Sequence, residues 1–583
     1  MGDIAFIARS FGPYRRDFVG AGICVFFESV LELLIPLLMA SIIDDGLATG
    51  DASIVWTRGA AMLGCALAAL ALGGGYARLS ARAAMGLGAN LRRAEFAHIQ
   101  DFAFSNLDSF ESSSLVTRMT TDVTVIQNAL VMGFRPMLRG PSMLVMGLVL
   151  PFVMSARLAV IFCVVLPFLA VVLFLIVRHV GPLYAVLQGV MDRLNDALQE
   201  DLRAIRAIKA FVREDWTQAR FDEVNRAYST TATRTFGGAV LNTPVFQVSM
   251  YVTCVSILWI GGNLILVGEL QVGTLTGFMS YVLQIMNSLM MISGVFLLLA
   301  RALTSIRRVR EVLDERPAIS SAEGAATTVA DGSVVFDHVS FKYHADARKD
   351  VLEDISLSFP AGSTIGVLGA TGSGKSSLVQ LVARLYDVSS GSVRVGGRDV
   401  RDYDLAALRD AVGVVLQRSV LFSGTVRDNL RWGNPDATDA ELLEACRIAC
   451  ADEFLERIGG LDADLGQGGD NVSGGQRQRL SIARTLLKRP KVLVFDDSLS
   501  AVDMVTDARI RAGLAGLADV TKITVAQRVN SVMDCDQIVI LDDGCVHAVG
   551  THAELLASDP IYQELYESQI GSGIHGEGVV DGC

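Results

Sequence analysis

Charge is scarce in this chain of 583 residues. Asp, Glu, Lys and Arg make up 19% of it, against roughly a quarter in an ordinary soluble protein. Hydrophobic residues make up 51%, mean hydropathy is +0.43, and the apolar excess sits in the first three hundred residues. That pattern excludes a wholly water-soluble body. An excess of basic residues is also missing: 50 Lys and Arg stand against 62 Asp and Glu, a net charge of −12. A nucleic-acid partner, which favours a basic face, is therefore not expected. None of the 9 cysteines forms a C-x-x-C pair, which argues against a zinc site or a disulfide framework. Cys24, Cys65, Cys163 and Cys254 lie in apolar runs and are expected to act as small buried hydrophobes. Met1–Gly12 lacks a basic start ahead of a short apolar core, so no cleavable signal peptide is expected. No internal repeat is visible.

What is present begins with six apolar stretches near the length of about 20 residues that a bilayer core requires. They run over about 18–43, 53–77, 136–155, 158–177, 239–267 and 272–300. The connections near Asp44–Asp51, Met154–Arg157 and Gly268–Gln271 are short. Those after the second and fourth spans are long, polar and helix-like, and they hold most of the basic residues, among them Arg92, Arg93, Arg118, Arg203, Arg206 and Lys209. The positive-inside bias places both long connections and both termini in the cytoplasm. Residues 316–333 are small and polar, a linker by composition. Over 334–570, β-rich runs such as STIGVLG, KVLVFDD and QIVILDD alternate with helical patterns, the mark of an α/β domain with a largely parallel sheet. Residues 571–583 read as a disordered tail.

The run GATGSGKS over 369–376 fits G-x-x-x-x-G-K-[ST] and sits between a predicted strand and a predicted helix. In that context backbone N–H groups of Gly369, Ala370, Thr371, Gly372, Ser373 and Gly374 cradle phosphates. Lys375 is expected to reach the outer phosphates, and Ser376 a Mg²⁺ ion, with Ser377 opening the helix behind them. Asp496 ends the apolar strand KVLVF, at the carboxyl edge of the sheet beside the phosphate loop, which suits a metal or a metal-bound water. Gln417, after VGVVL, is a further candidate metal ligand. Tyr343 is a candidate to stack on the adenine ring.

With VSGGQRQRLSIAR about a hundred residues further on, the C-terminal half resembles the nucleotide-binding domain of ABC transporters. The whole chain resembles a bacterial half-size ABC exporter of the domain-swapped, type IV kind, with an all-α six-helix membrane domain (1–315) ahead of an α/β P-loop domain (334–570). The resemblance implies ATP and Mg²⁺ as cofactors and export driven by ATP hydrolysis. It also implies a multi-pass place in the bacterial cytoplasmic membrane. Ser473, Gly474, Gly475 and Gln476 match the signature motif, which faces the nucleotide of the partner domain. Ser500 and Asp503 match the loop that crosses the dimer interface. The strings around 102–122 and EDLRAIRAIKAFVREDWTQARF resemble the two cytoplasmic coupling segments.

Two positions depart from the family pattern. Hydrolytic members carry glutamate as the base and a histidine that holds the γ-phosphate; here those positions are Asp497 and Gln527. Aspartate is one methylene shorter, and a displacement of about 1 Å can cost 10²-fold in rate. Glutamine donates hydrogen bonds but cannot take up a proton. Gln467 also stands where glutamate is common, and Val472 where leucine is. The resemblance then implies a heterodimer. This chain's own site would hold ATP and turn over weakly, while its signature would complete the active site of a second half-transporter that carries the glutamate and histidine. Glu28 and Glu32, four apart on one face of the first span, are expected to help bind a cationic amphipathic substrate, with pairing to groups on the partner subunit or protonation as the alternative. Rival readings are a homodimeric lipid or glycolipid flippase, a siderophore-type importer on the exporter fold, and an ATP-gated regulatory or channel subunit.

Overall fold

The structure is a computed structural model that describes residues 2–344, 346–498 and 502–570. Ser500 and the stretch 571–583 lie outside the described residues. Contacts divide the chain into two units: Met1–Gln100 with Ser112–Glu315, and Asp101–Glu111 with Arg316–Cys583.

The first unit is built on six helices: Gly12–Leu47, Ala52–Gln100, Ser112–Met154, Ala156–Arg203, Glu214–Leu266 and Val272–Asp314. The second and fourth contain 49 and 48 residues. At 1.5 Å per residue each spans about 70 Å, more than twice the roughly 30 Å of a bilayer core, so their polar ends run on past the apolar segment. The third helix starts well before the expected 136. Its lower part is too polar to register as a span and is held instead by the sixth helix. Arg118 donates to Glu311 and to Arg308 O, each at 2.7 Å, and Ser305 donates to Asp122 at 2.8 Å. Packing of this kind outweighs intrinsic propensity in deciding where a helix begins.

The end of the first helix has a structural task. The Asp44 carboxylate accepts from Gly273 N at 2.5 Å, Thr274 N at 2.7 Å and Thr274 Oγ1 at 2.9 Å. It thereby caps the positive end of the sixth helix, whose first N–H groups have no partner within the helix.

The second unit holds two sheets. Its strands are β1 Val334–Phe341, β2 Leu352–Phe359, β3 Thr364–Gly369, β4 Ser390–Val395, β5 Arg398–Asp399, β6 Val412–Val415, β7 Val492–Asp496, β8 Thr521–Val525, β9 Gln537–Asp542 and β10 Cys545–Gly550. Four form an antiparallel sheet in the order β2-β1-β4-β5, and six form the main sheet in the order β10-β9-β3-β8-β7-β6. In the latter β9, β3, β8, β7 and β6 are parallel and β10 is an antiparallel edge. Strands β7 and β8 are buried at every residue, which is why VLVF reads as an unbroken apolar run rather than an alternating one.

The stretch 316–333 is docked rather than free. Val329 sits in the hydrophobic core of this unit, Lys491 Nζ donates to Val329 O at 2.5 Å and Ala330 O at 2.7 Å, and Ser321 donates to Asp404 at 3.0 Å. Its small side chains let the backbone lie close to the sheet, a use of small residues that composition does not distinguish from a linker.

Candidate functional site

Strand β3 delivers the chain into the phosphate loop, and a helix over Lys375–Val382 leaves it. Two glycines are there for steric reasons. Gly374 has φ +93°, and a Cβ on it would stand 2.7 Å from Leu352 Cδ2 and 2.9 Å from Val351 O. A Cβ on Gly369, at φ +155°, would collide with Leu541 O and come within 2.7 Å of Ser373 Oγ. Only glycine permits that backbone. Lys375 is buried, and its ammonium donates to Gly369 O at 2.8 Å and Ala370 O at 2.7 Å. Burial lowers its pKa, while Asp497 and Asp496 push it back up. The loop thus carries a preorganised cation folded against its own carbonyls, free to exchange those acceptors for phosphate oxygens.

Asp496 is 2% exposed and accepts from Ser376 Oγ at 2.6 Å. Burial raises its pKa, the Ser376 hydrogen bond opposes that, and the neighbouring Asp497 charge adds to the rise. A divalent cation beside Ser376 and Asp496 would relieve this crowding of negative charge, and the oxygen donors are the hard kind that Mg²⁺ prefers.

Asp497 sits directly after β7 with φ +47°, a left-handed geometry that aspartate tolerates better than most side chains. One of its oxygens, Oδ2, accepts two amides: Gln527 Nε2 at 3.0 Å and Gln417 Nε2 at 3.3 Å. The structure therefore brings the two departures from the family pattern into direct contact. It also gives Gln417 a partner in Asp497. Asp497 and Gln527 line a cavity of about 290 Å³ with Val502, Asp507, Arg528 and Ser531.

The Tyr343 hydroxyl lies 2.8 Å from Ser377 Oγ. Its ring packs edge-on against Tyr386, centroids 5.1 Å apart, and Phe341 at 4.9 Å, and the residue is 38% exposed. Sequence reasoning missed Tyr386, which the short string RLYDV gives no means to single out. Its hydroxyl donates to Asp108 at 2.7 Å, and its ring meets Phe104 edge-on at 5.9 Å. Segment Asp101–Glu111, lying in the chain between the second and third helices, thus belongs to the nucleotide unit. It reaches the phosphate loop through Asp108, Tyr386, Tyr343 and Ser377. A hydrogen bond to a charged group is worth about 1.5–3 kcal/mol. Tyr386→Phe should therefore speed amide hydrogen exchange across 101–111 by about ten- to hundredfold. Asp108→Asn should do the same, and the double variant should add little to either single change.

The signature string is a capping box. Ser473 N donates to Gln476 Oε1 at 2.8 Å, and Gln476 N donates to Ser473 Oγ at 3.3 Å, closing the start of the helix Gly474–Leu486. Ser473 and Gly474 are exposed, and Gly475 is half-buried. A Cβ on Gly474 would have nothing within 4 Å. Asp503 caps the helix Met504–Ala515 by accepting from Thr506 N at 3.0 Å.

The expectation for Glu28 and Glu32 needs correction. Neither carboxylate stands free. Arg135 pairs with Glu28, and Arg139 pairs with Glu32 while its other nitrogen lies 3.9 Å from Glu28. Both arginines come from the third helix at the same four-residue spacing as the glutamates, so two helical faces match charge for charge. Counting acidic residues on one helix could not reveal this. The net charge of the cluster is zero, and the case for a cationic substrate falls with it.

Comparisons with known proteins agree with this geometry. A family model for the ABC transporter transmembrane region matches residues 18–289, and one for the ABC transporter matches 352–500. The chain is 38% identical over 579 residues to an uncharacterised ABC transporter ATP-binding protein of Mycobacterium tuberculosis, covering 97% of this chain and 98% of that one. It is 36% identical over 564 residues to the uncharacterised ABC transporter ATP-binding protein YfiB of Bacillus subtilis, covering 96% and 97%. An ATP-dependent lipid A-core flippase of Desulfotalea psychrophila is 30% identical over 498 residues, covering 85% and 86%. A solved structure of a bacterial Atm1-family ABC exporter with ATP bound shares the fold, with a TM-score of 0.79 at 24% identity over 96% of this chain and 99% of that one.

The chain belongs to the ABC transporter family. It is a half-transporter with the fold of an ABC exporter, a multipass membrane protein whose membrane region and ATP-binding ATPase domain share one polypeptide. A half-transporter must pair, with another copy of itself or with a different half.

Proposed function

We propose that this chain is the weakly hydrolytic half of a heterodimeric exporter that moves amphipathic compounds out across the bacterial cytoplasmic membrane. The observation that carries the reading is the contact between Asp497 and Gln527. Both the shortened carboxylate and the amide in place of histidine belong to one hydrogen-bonded group. A carboxylate oxygen already accepting two amides is poorly placed to orient an attacking water, which must sit within hydrogen-bond reach of its base. The phosphate loop nevertheless keeps all its binding parts. Such a site holds ATP, with Ser376 and Asp496 taking Mg²⁺ and Tyr343 facing adenine, and releases it slowly.

In this reading Ser473, Gly474 and Gly475 serve the other composite site. The partner supplies the glutamate and histidine, and closure of the two nucleotide units around ATP drives the membrane helices from inward-open to outward-open. The excess of arginine in the long connections puts both termini in the cytoplasm.

A homodimeric lipid flippase is the second reading, favoured by the likeness to the lipid A-core flippase of Desulfotalea psychrophila. One experiment separates them. The full chain is purified alone and in complex with a half-transporter carrying glutamate and histidine at the corresponding positions, and ATP turnover per dimer is measured for each. The heterodimer predicts turnover in the complex that is at least about tenfold faster, in keeping with the cost of a misplaced base. Equal turnover by the chain alone overturns the heterodimer and leaves the homodimeric reading.

A further inference from the structure

Ionisable groups inside a membrane region are costly and mark functional sites unless they are wholly absorbed in packing. The two ion pairs of the first unit differ in this respect. Glu28 is sealed, with 4% of its side chain exposed. Glu32 and Arg139 keep 27% and 18% of their side chains exposed, and both face a cavity of about 320 Å³. The wall also includes Ile35, Met143 and the sixth-helix residues Gln284, Asn287, Met290 and Met291. Gln284 Oε1 is buried there without a hydrogen-bond partner among the described residues, and its partial negative charge adds to the attraction for a cationic group in the cavity. Arg139 Nε lies 3.4 Å from Met143 Sδ, which fixes the guanidinium along the wall.

Resting on the transport reading above, we propose that this cavity is the substrate site and that it selects a single-chain amphiphile with a zwitterionic head group. The anionic group of such a head meets Arg139 and its cationic group meets Glu32, so the wall stays neutral when occupied. A head group of one sign would leave the opposite member of the pair desolvated and uncompensated, a penalty that commonly exceeds the gain of the new contact. The methionines and Ile35 take the start of the alkyl chain; methionine's flexible thioether adapts to varied apolar shapes. The volume lies at the small end of ligand sites. It holds a head group and a few methylenes, not two acyl chains.

The test uses three probes with one dodecyl chain, kept below their micellar concentrations: dodecylphosphocholine, dodecyltrimethylammonium and dodecyl phosphate. Binding to the full chain in phosphatidylglycerol nanodiscs is measured by equilibrium dialysis against empty nanodiscs. Wild type should bind the zwitterion about tenfold more tightly than either ion, the size of one unpaired charge screened by neighbours. Glu32→Gln should move the preference to dodecyl phosphate, and Arg139→Gln to dodecyltrimethylammonium. Loss of structure alone cannot produce opposite shifts, and if one variant does not fold the other still carries the test. The same order of probes in wild type and variant overturns the assignment, as does a wild type without preference for the zwitterion. Phosphatidylcholine nanodiscs that abolish dodecylphosphocholine binding would overturn the single-chain selection, since a two-chain lipid would then fill the site, and undiminished binding supports it. ATP-driven uptake of the probes into inside-out vesicles that carry the chain together with a half-transporter bearing the glutamate and histidine is scored separately. Ordered binding without any uptake overturns the transport reading and keeps the site, and uptake with an unaltered order in the variants does the reverse.

Discussion

Asp497→Glu combined with Gln527→His should raise ATP turnover of the chain purified alone by about ten- to hundredfold, the range that a displacement of about 1 Å at a reacting group commands. The added methylene advances the carboxylate by about 1.5 Å. There is room for it, because Asp497 already borders the cavity of about 290 Å³ shared with Val502 and Gln527. Histidine at 527 removes one of the two amides that now occupy Asp497 Oδ2 and supplies a group that can carry positive charge near the γ-phosphate. A cost is expected at the backbone. At φ +47° glutamate is less at ease than aspartate by about 1 kcal/mol, so the single change Asp497→Glu should gain less than the pair. Lys375→Ala added to the double variant should abolish the gain, which ties it to this chain's own phosphate loop. Steady-state phosphate release in detergent or nanodiscs measures all four proteins. Turnover unmoved by the double change would mean that the two substitutions are not what limits the site.

The phosphate loop, the strand ending in Asp496 and the signature were legible because each is local: a run of glycines, an apolar strand and a capping box lie within a dozen residues of chain. The number of spans was legible for the same reason, since about 20 apolar residues in sequence suffice to cross a bilayer. What stayed hidden involves partners distant in sequence. Arg135 and Arg139 meet Glu28 and Glu32 across 107 residues, and nothing in either string announces the match. Tyr386 finds Asp108 across 278 residues. The polar start of the third helix was hidden because hydropathy reports solvent, not the Arg118–Glu311 pair that holds that stretch in place. Likewise, 316–333 reads as a tether until Val329 and the carbonyls taken by Lys491 are seen against the sheet.

Gly474→Asp should stop the heterodimeric complex, while Asp497→Asn in the same chain should hardly slow it. The two residues belong to one polypeptide but, in the proposed arrangement, to different composite sites. At the start of the helix Gly474–Leu486 the first N–H groups have no partner within the helix and point a partial positive charge outward. A carboxylate placed there opposes the γ-phosphate of the competent site, and loss of such an electrostatic contact costs about 10²–10³ in rate. The isolated fold should not suffer. Nothing lies within 4 Å of a Cβ at 474, and an acidic residue in the first turn of a helix is favoured by its dipole. An unaltered melting temperature beside collapsed turnover would therefore assign the loss to catalysis. Asp497→Asn alters only the site already slowed by its amides, so less than about a twofold drop is expected, far below the 10² of a functioning base. Equal damage from both substitutions would mean two equivalent sites, and the division of labour between the halves would be gone.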